Sequence, residues 1–128
     1  MTEHDLTSKP VVEIPGGPPP SELVLEDLVV GEGAEATAGT SPSMQYVGVA
    51  WSSKQQFDAS WDRGQPFSFR LGEGQVIAGW DQGVAGMRVG GRRRLTIPAE
   101  LGYGQRCAGG AIGPGETLVF VVDLLGVR

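Results

Sequence analysis

Val76-Ile77-Ala78-Gly79-Trp80-Asp81-Gln82-Gly83-Val84 is the stretch whose reading decides the fold. Val76, Trp80 and Val84 recur at i, i+4 and i+8, with Ile77 beside the first, so a helix here has one apolar face. It is the one convincing helical pattern in a chain otherwise made of short strand-like runs and Gly/Pro turns. A helix this short is not stable alone, and Gly79 and Gly83 each cost it roughly 1 kcal/mol relative to Ala. Something must be wrapped around it.

The flanking segments supply strands. Phe67-Ser68-Phe69-Arg70-Leu71 alternates, with Phe67, Phe69 and Leu71 on one face. Further upstream, Leu23–Val30 reads as a first strand, Ser43–Val49 as a second and Phe57-Asp58-Ala59-Ser60 as a third, separated by turn signals such as Arg63-Gly64-Gln65-Pro66. Downstream, Arg92-Arg93-Arg94-Leu95-Thr96-Ile97 turns Leu95 and Ile97 one way and Arg94 and Thr96 the other, with the arginines read as the solvated end of the strand. Thr117–Leu125 is the most continuous apolar run and reads as a central strand buried on both faces. Residues 99–116 form a long Gly-rich loop, a place where function concentrates. The expected fold is α+β, an antiparallel sheet of about five strands curled around one short helix.

Length and composition bound the rest. The 128 residues suit one domain with a single core. Residues 1–21 are acidic, polar and Pro-rich, which predicts a mobile or extended tail ahead of a domain spanning 22–128. A net charge of −5 disfavours nucleic acid and acidic membranes as partners, and no apolar run approaches the roughly 20 residues of a membrane span. The start, Met1-Thr2-Glu3-His4-Asp5, lacks the basic and apolar regions of a signal peptide, and the single Cys107 fits a reducing compartment. A soluble, cytoplasmic, monomeric protein is expected.

Absences narrow the chemistry. His4 is the only histidine and lies in the polar terminus, which excludes a Ser-His-Asp triad or Cys-His pair built on the core. One Cys and one His leave no thiolate or imidazole metal cluster, and neither a phosphate-binding loop nor a dinucleotide fingerprint is present. No cofactor and no metal are expected. Aromatic residues are instead spread over separate segments at Tyr46, Phe57, Phe67, Phe69, Trp80, Tyr103 and Phe120, and a small half-barrel can bring them together. Tyr103 stands in Gly102-Tyr103-Gly104 within the long loop, where a core aromatic is not expected. Asp58 follows Phe57 in a strand and needs solvent or a charged or phenolic partner, with Arg63 close enough in sequence to serve.

These residues resemble the FKBP-type peptidyl-prolyl cis-trans isomerases. The resemblance rests on Tyr46-Val47-Gly48, Phe57-Asp58-Ala59-Ser60, Arg63-Gly64-Gln65-Pro66-Phe67-Ser68-Phe69, Val76-Ile77-Ala78-Gly79-Trp80, Leu95-Thr96-Ile97-Pro98, Tyr103-Gly104 and the run from Thr117 to Leu125. It covers roughly residues 22–128 in unbroken order. It implies a strongly bent antiparallel sheet of five or six strands, a half-barrel wrapped around one short α-helix. It implies rotation about X-Pro bonds in protein folding, without cofactor or covalent intermediate. By position it makes Trp80 the floor of an apolar proline pocket and Tyr46, Phe57, Phe67, Val76, Ile77 and Phe120 its walls, with Ile112 at the rim. Asp58 and Tyr103 would supply polar contacts and, with Trp80, be the catalytic residues, Arg63 would join the substrate-binding residues, and the Ile77 backbone N–H would bond a ligand carbonyl. Implied partners are Pro-containing segments of client proteins and macrolides such as rapamycin or tacrolimus. Ala108 and Cys107 depart from residues common in the family, which implies altered substrate or drug preference more than lost activity. A pure binding module using the same pocket is the competing reading.

Overall fold

A computed structural model of the chain describes residues 9–14, 17–104 and 115–128. Six strands pair into one sheet: β1 (Val24–Val29), β2 (Pro42–Ala50), β3 (Gln56–Ala59), β4 (Phe67–Ser68), β5 (Arg92–Ile97) and β6 (Leu118–Val127). Their order is β1-β5-β6-β2-β3, with β4 also on β2, and every pairing is antiparallel. The apolar run at the C-terminal end takes the middle of the sheet because it can be covered on both faces. Leu118, Phe120, Val122 and Leu124 enter the main core, while Val119 and Val121, also buried, take the other parity. This is the α+β half-barrel expected from the sequence.

Two helices interrupt the strands. The first, α1 (Ser60–Arg63), is a single turn closed by Gly64 in the left-handed region, where the sequence had suggested the end of a strand and a turn. The second, α2 (Ala78–Gly83), is the helix foreseen from the spacing of Val76, Trp80 and Val84, and Trp80 and Val84 both lie in the main core. Its two glycines are contact points. A Cβ on Gly79 would lie 2.5 Å from Cγ2 of Ile97, and one on Gly83 would lie 2.5 Å from Cδ2 of Leu95. The helix therefore rests its backbone directly on β5, and the propensity lost at each glycine is offset by closer packing.

Phe67–Leu71 keeps its alternation of burial but not its ladder. Phe69 and Leu71 are buried, yet strand pairing stops at Ser68. Beyond that point the backbone N–H of Arg70 donates to Oε1 of Gln75, and that of Leu71 donates to the Thr40 carbonyl. The arginine run corrects the reading of a solvated strand end. Arg92 is buried and forks onto Asp123 at 2.6 and 2.9 Å. Arg93 pairs with Asp27 at 2.7 Å and donates to the Gly83 and Ala85 carbonyls at the C-terminal end of α2, where a cation complements the helix dipole. Arg94 pairs with Glu26, its register partner across β1.

The outer face of β2 and β3 is covered as well. Val47, Val49 and Ala59 form a second apolar cluster with Val12, Ile14 and Trp61 packed against it. Polar contacts accompany this packing, from Lys9 to Asp62 at 2.8 Å and from Arg94 to the Glu13 carbonyl at 3.2 Å. Among the described residues, no helix is long and apolar enough to cross a membrane.

Candidate functional site

Trp80, itself buried, lines a cavity of about 800 Å³. Its ring meets Tyr46 at 4.8 Å, Phe120 at 5.1 Å and Phe67 at 5.6 Å between centroids, all three edge-on. Each ring arrives from a different element: Tyr46 from β2, Phe67 from β4, Trp80 from α2 and Phe120 from β6. Phe57 of β3 adds a fifth ring, edge-on to Phe120 at 5.4 Å. That pair meets over Gly48, where a Cβ would lie 2.7 Å from both Phe57 and Phe120. Gly48 faces Phe120 and Asp58 across its two neighbouring strands, and the pairing with β3 shifts register between Gly48 and Val49. Beside this irregularity both Phe57 and Asp58 line the cavity, although they are consecutive in a strand.

The polar wall is a closed triad. The Tyr46 hydroxyl donates to Oδ2 of Asp58 at 2.6 Å, and Arg63 donates to Oδ1 of Asp58 at 2.5 Å and to the Tyr46 hydroxyl at 2.7 Å. The guanidinium carbon of Arg63 also lies 5.5 Å from the Tyr46 ring centroid. Burial, together with the bond to Asp58, pushes the Tyr46 phenol up to about 12, so it stays neutral and keeps its proton through the physiological range. Ser60, fully buried at the start of α1, accepts from the Tyr46 backbone N–H at 2.7 Å and donates to Oε1 of Gln45 at 2.5 Å. It fastens α1, and with it Arg63, to β2.

A second set of bonds shapes the opposite wall. The Asp81 carboxylate accepts from the backbone N–H groups of Gly72 and Gly74 at 2.9 and 3.0 Å. Both glycines have positive φ, +85° and +70°, so the loop turns sharply before Gln75, Val76 and Ile77, which line the cavity. On the other side, the 3₁₀ turn Ala99–Leu101 leads into Gly102-Tyr103-Gly104. The Gly104 N–H bonds the Ala99 carbonyl at 2.7 Å, which folds the loop back and leaves Tyr103 lining the cavity, 38 % exposed.

The structure thus brings Tyr46, Phe57, Asp58, Phe67, Val76, Ile77, Trp80, Tyr103 and Phe120 around one cavity. Arg63 does not line it; it stands behind Tyr46 and Asp58 and acts through them. Ile112, Cys107 and Ala108 lie outside the described residues. Sequence reasoning missed Gln75 and Glu100 in the lining and Gly48, Ser60 and Asp81 as supports: Gly48 shows its role only where Phe57 and Phe120 meet over it, while the Asp81 bonds to Gly72 and Gly74 are local and carry no hydrophobic pattern.

Several polar groups at the site are left over. The indole N–H of Trp80 is buried with no partner among the described residues. The Tyr103 hydroxyl and the Ile77 backbone N–H make no hydrogen bond among the described residues. Among the described residues no group of His, Cys, Asp and Glu is placed to hold a metal ion. What the cavity offers is a cluster of aromatic rings beside a polar wall, with hydrogen-bond donors among its lining residues.

Known proteins resemble this chain in sequence and fold. The family model for FKBP-type peptidyl-prolyl cis-trans isomerases matches residues 32–125. An FK506-binding protein of Streptomyces anulatus is 60% identical over 120 residues, covering 93% of this chain and 97% of that one. A probable FK506-binding protein of Corynebacterium glutamicum is 50% identical over 117 residues, covering 91% and 97%. The crystal structure of AtFKBP13 superimposes with a TM-score of 0.77 at 41% identity, covering 86% of this chain and 96% of that one. The chain belongs to the FKBP-type peptidyl-prolyl cis-trans isomerase family.

Proposed function

We propose that this protein accelerates rotation about X-Pro bonds by taking the proline ring into the aromatic bowl above Trp80. The observation that carries the reading is the coincidence of five rings around one cavity with Tyr103 and the Ile77 N–H, two donors without protein acceptors among the described residues. The uncatalysed barrier is about 18–20 kcal/mol because the planar amide is resonance-stabilised. Twisting the C–N bond removes that resonance and makes the group less dipolar. A water-excluding aromatic wall disfavours the polar planar amide relative to the twisted one, by desolvation or by replacing water with fixed ring edges. A donor that reaches a substrate carbonyl better in the bent geometry adds selectivity for the transition state.

No proton has to move, and the polar triad fits that requirement. Each carboxylate oxygen of Asp58 is already engaged, one by Tyr46 and one by Arg63, so Asp58 orients the wall and does not act as a base. The Tyr46 phenol stays neutral, so the one charge on that wall is the Asp58 carboxylate, paired with Arg63. The relatives are named for binding FK506, and the same bowl is proposed to take macrolides such as tacrolimus or rapamycin here. The test is the cis-to-trans rate of a short Pro peptide with and without the protein, repeated with tacrolimus in excess. Acceleration abolished by the macrolide supports the reading. Peptide binding without acceleration reduces the protein to a binding module.

A further inference from the structure

We infer that Glu100 selects for substrates carrying a basic residue beside the proline; this rests on the isomerase reading and names its substrate class. Glu100 is an exposed carboxylate in the 3₁₀ turn that leads into Tyr103, and it lines the same cavity as Trp80. The cavity has one other acidic lining residue, Asp58, whose charge is met by Arg63 at 2.5 Å. Glu100 makes no ion pair or hydrogen bond among the described residues, and neither Lys nor Arg lines the cavity among them.

Glu100 is distinguished by its place at the cavity: the exposed acids Glu13, Glu22 and Glu32 also make no side-chain ion pair or hydrogen bond among the described residues, but none of them lines it. Glu26, Asp27, Glu35, Asp62 and Glu73 each face an Arg or Lys of this chain within 3.5 Å. Among the described residues, the charge of Glu100 at the cavity is thus left for the ligand to meet. A proline seated against the rings carries its neighbours past that charge, and a Lys or Arg there gains a Coulomb partner, while a Glu or Asp meets a like charge. The net charge of −5 acts in the same direction at longer range. Because the pair is solvent-exposed, its effect is modest, about two- to five-fold in affinity or kcat/KM, and it weakens as salt shortens the screening length to about 8 Å at physiological strength.

The experiment uses the full chain and peptides of equal length with a Leu-Pro core flanked by Lys, Ala or Glu. Both kcat/KM for isomerisation and peptide Kd are measured at low and at physiological salt. The expected result is a Lys-over-Glu preference of a few-fold that shrinks with salt, falls toward unity in Glu100→Gln and inverts in Glu100→Lys. The ratio cancels any general loss of activity in the variants. A preference that is absent, or unchanged in both variants, overturns the inference. Failure of the isomerase reading is seen separately, as no acceleration of the Ala-flanked peptide, and the Kd ratios then still decide the role of Glu100.

Discussion

Gly79 and Ile97 meet so closely that a Cβ on the glycine would lie 2.5 Å from the isoleucine Cγ2. By helix propensity alone Gly79→Ala stabilises α2 by about 1 kcal/mol. The contact reverses the sign, because the added methyl must push the helix off β5, and overpacking costs about 1–3 kcal/mol. The expected outcome is a lower denaturation midpoint for Gly79→Ala. Since Trp80 follows directly, a weakened peptide affinity should accompany it.

The Tyr46 phenol gives a pH signature. Its folded pKa, about 12, lies above the usual value near 10, so the folded state holds this proton more tightly than the unfolded chain. The resulting stability is fully present below pH 10 and is lost as pH rises toward 12. Denaturant midpoints measured across that window for wild type and Tyr46→Phe should converge as pH rises. Parallel curves would place the tyrosine in a more exposed setting than the one described.

Asp123 is wholly buried, and burial raises its carboxyl while Arg92, forked onto it, pulls it back down. Breaking a buried ion pair by removing one member costs about 3–5 kcal/mol. Asp123→Ala should show a loss of that order in chemical denaturation. A loss near the 0–1 kcal/mol of an exposed pair would show that water reaches Arg92.

Much of this was legible in the sequence because the signals were local. Alternation marked the strands, the spacing of Val76, Trp80 and Val84 marked α2, and Arg63 stands only five residues from its partner Asp58. The arginine run was misread because its partners are remote: Asp123, Asp27 and Glu26 lie 31, 66 and 68 residues away. Gly79 was read as a local cost that outside support must offset, and the form of that support is visible only where Ile97 arrives from β5. The aromatic positions could be named in advance, but not which faces they would present to one another.

Trp80 separates function from stability. Its buried indole N–H lacks a partner among the described residues, which penalises the folded state by about 1–3 kcal/mol relative to a ring without that group. Trp80→Phe should therefore lose less stability than the burial of so large a side chain suggests. Thermal unfolding checks this, and a loss as large as the 3–5 kcal/mol of a Trp truncated to Ala would contradict it.

The most direct test of the account is the isomerisation rate of one Leu-Pro peptide catalysed by wild type, Trp80→Leu and Tyr103→Phe, with folding of each variant checked by circular dichroism. Loss of three edge-on ring contacts at the floor should lower kcat/KM at least roughly ten-fold in Trp80→Leu. Loss of one neutral donor should lower it roughly 2- to 10-fold in Tyr103→Phe. Folded variants that both keep the full wild-type rate would contradict the claim that this bowl performs the rotation.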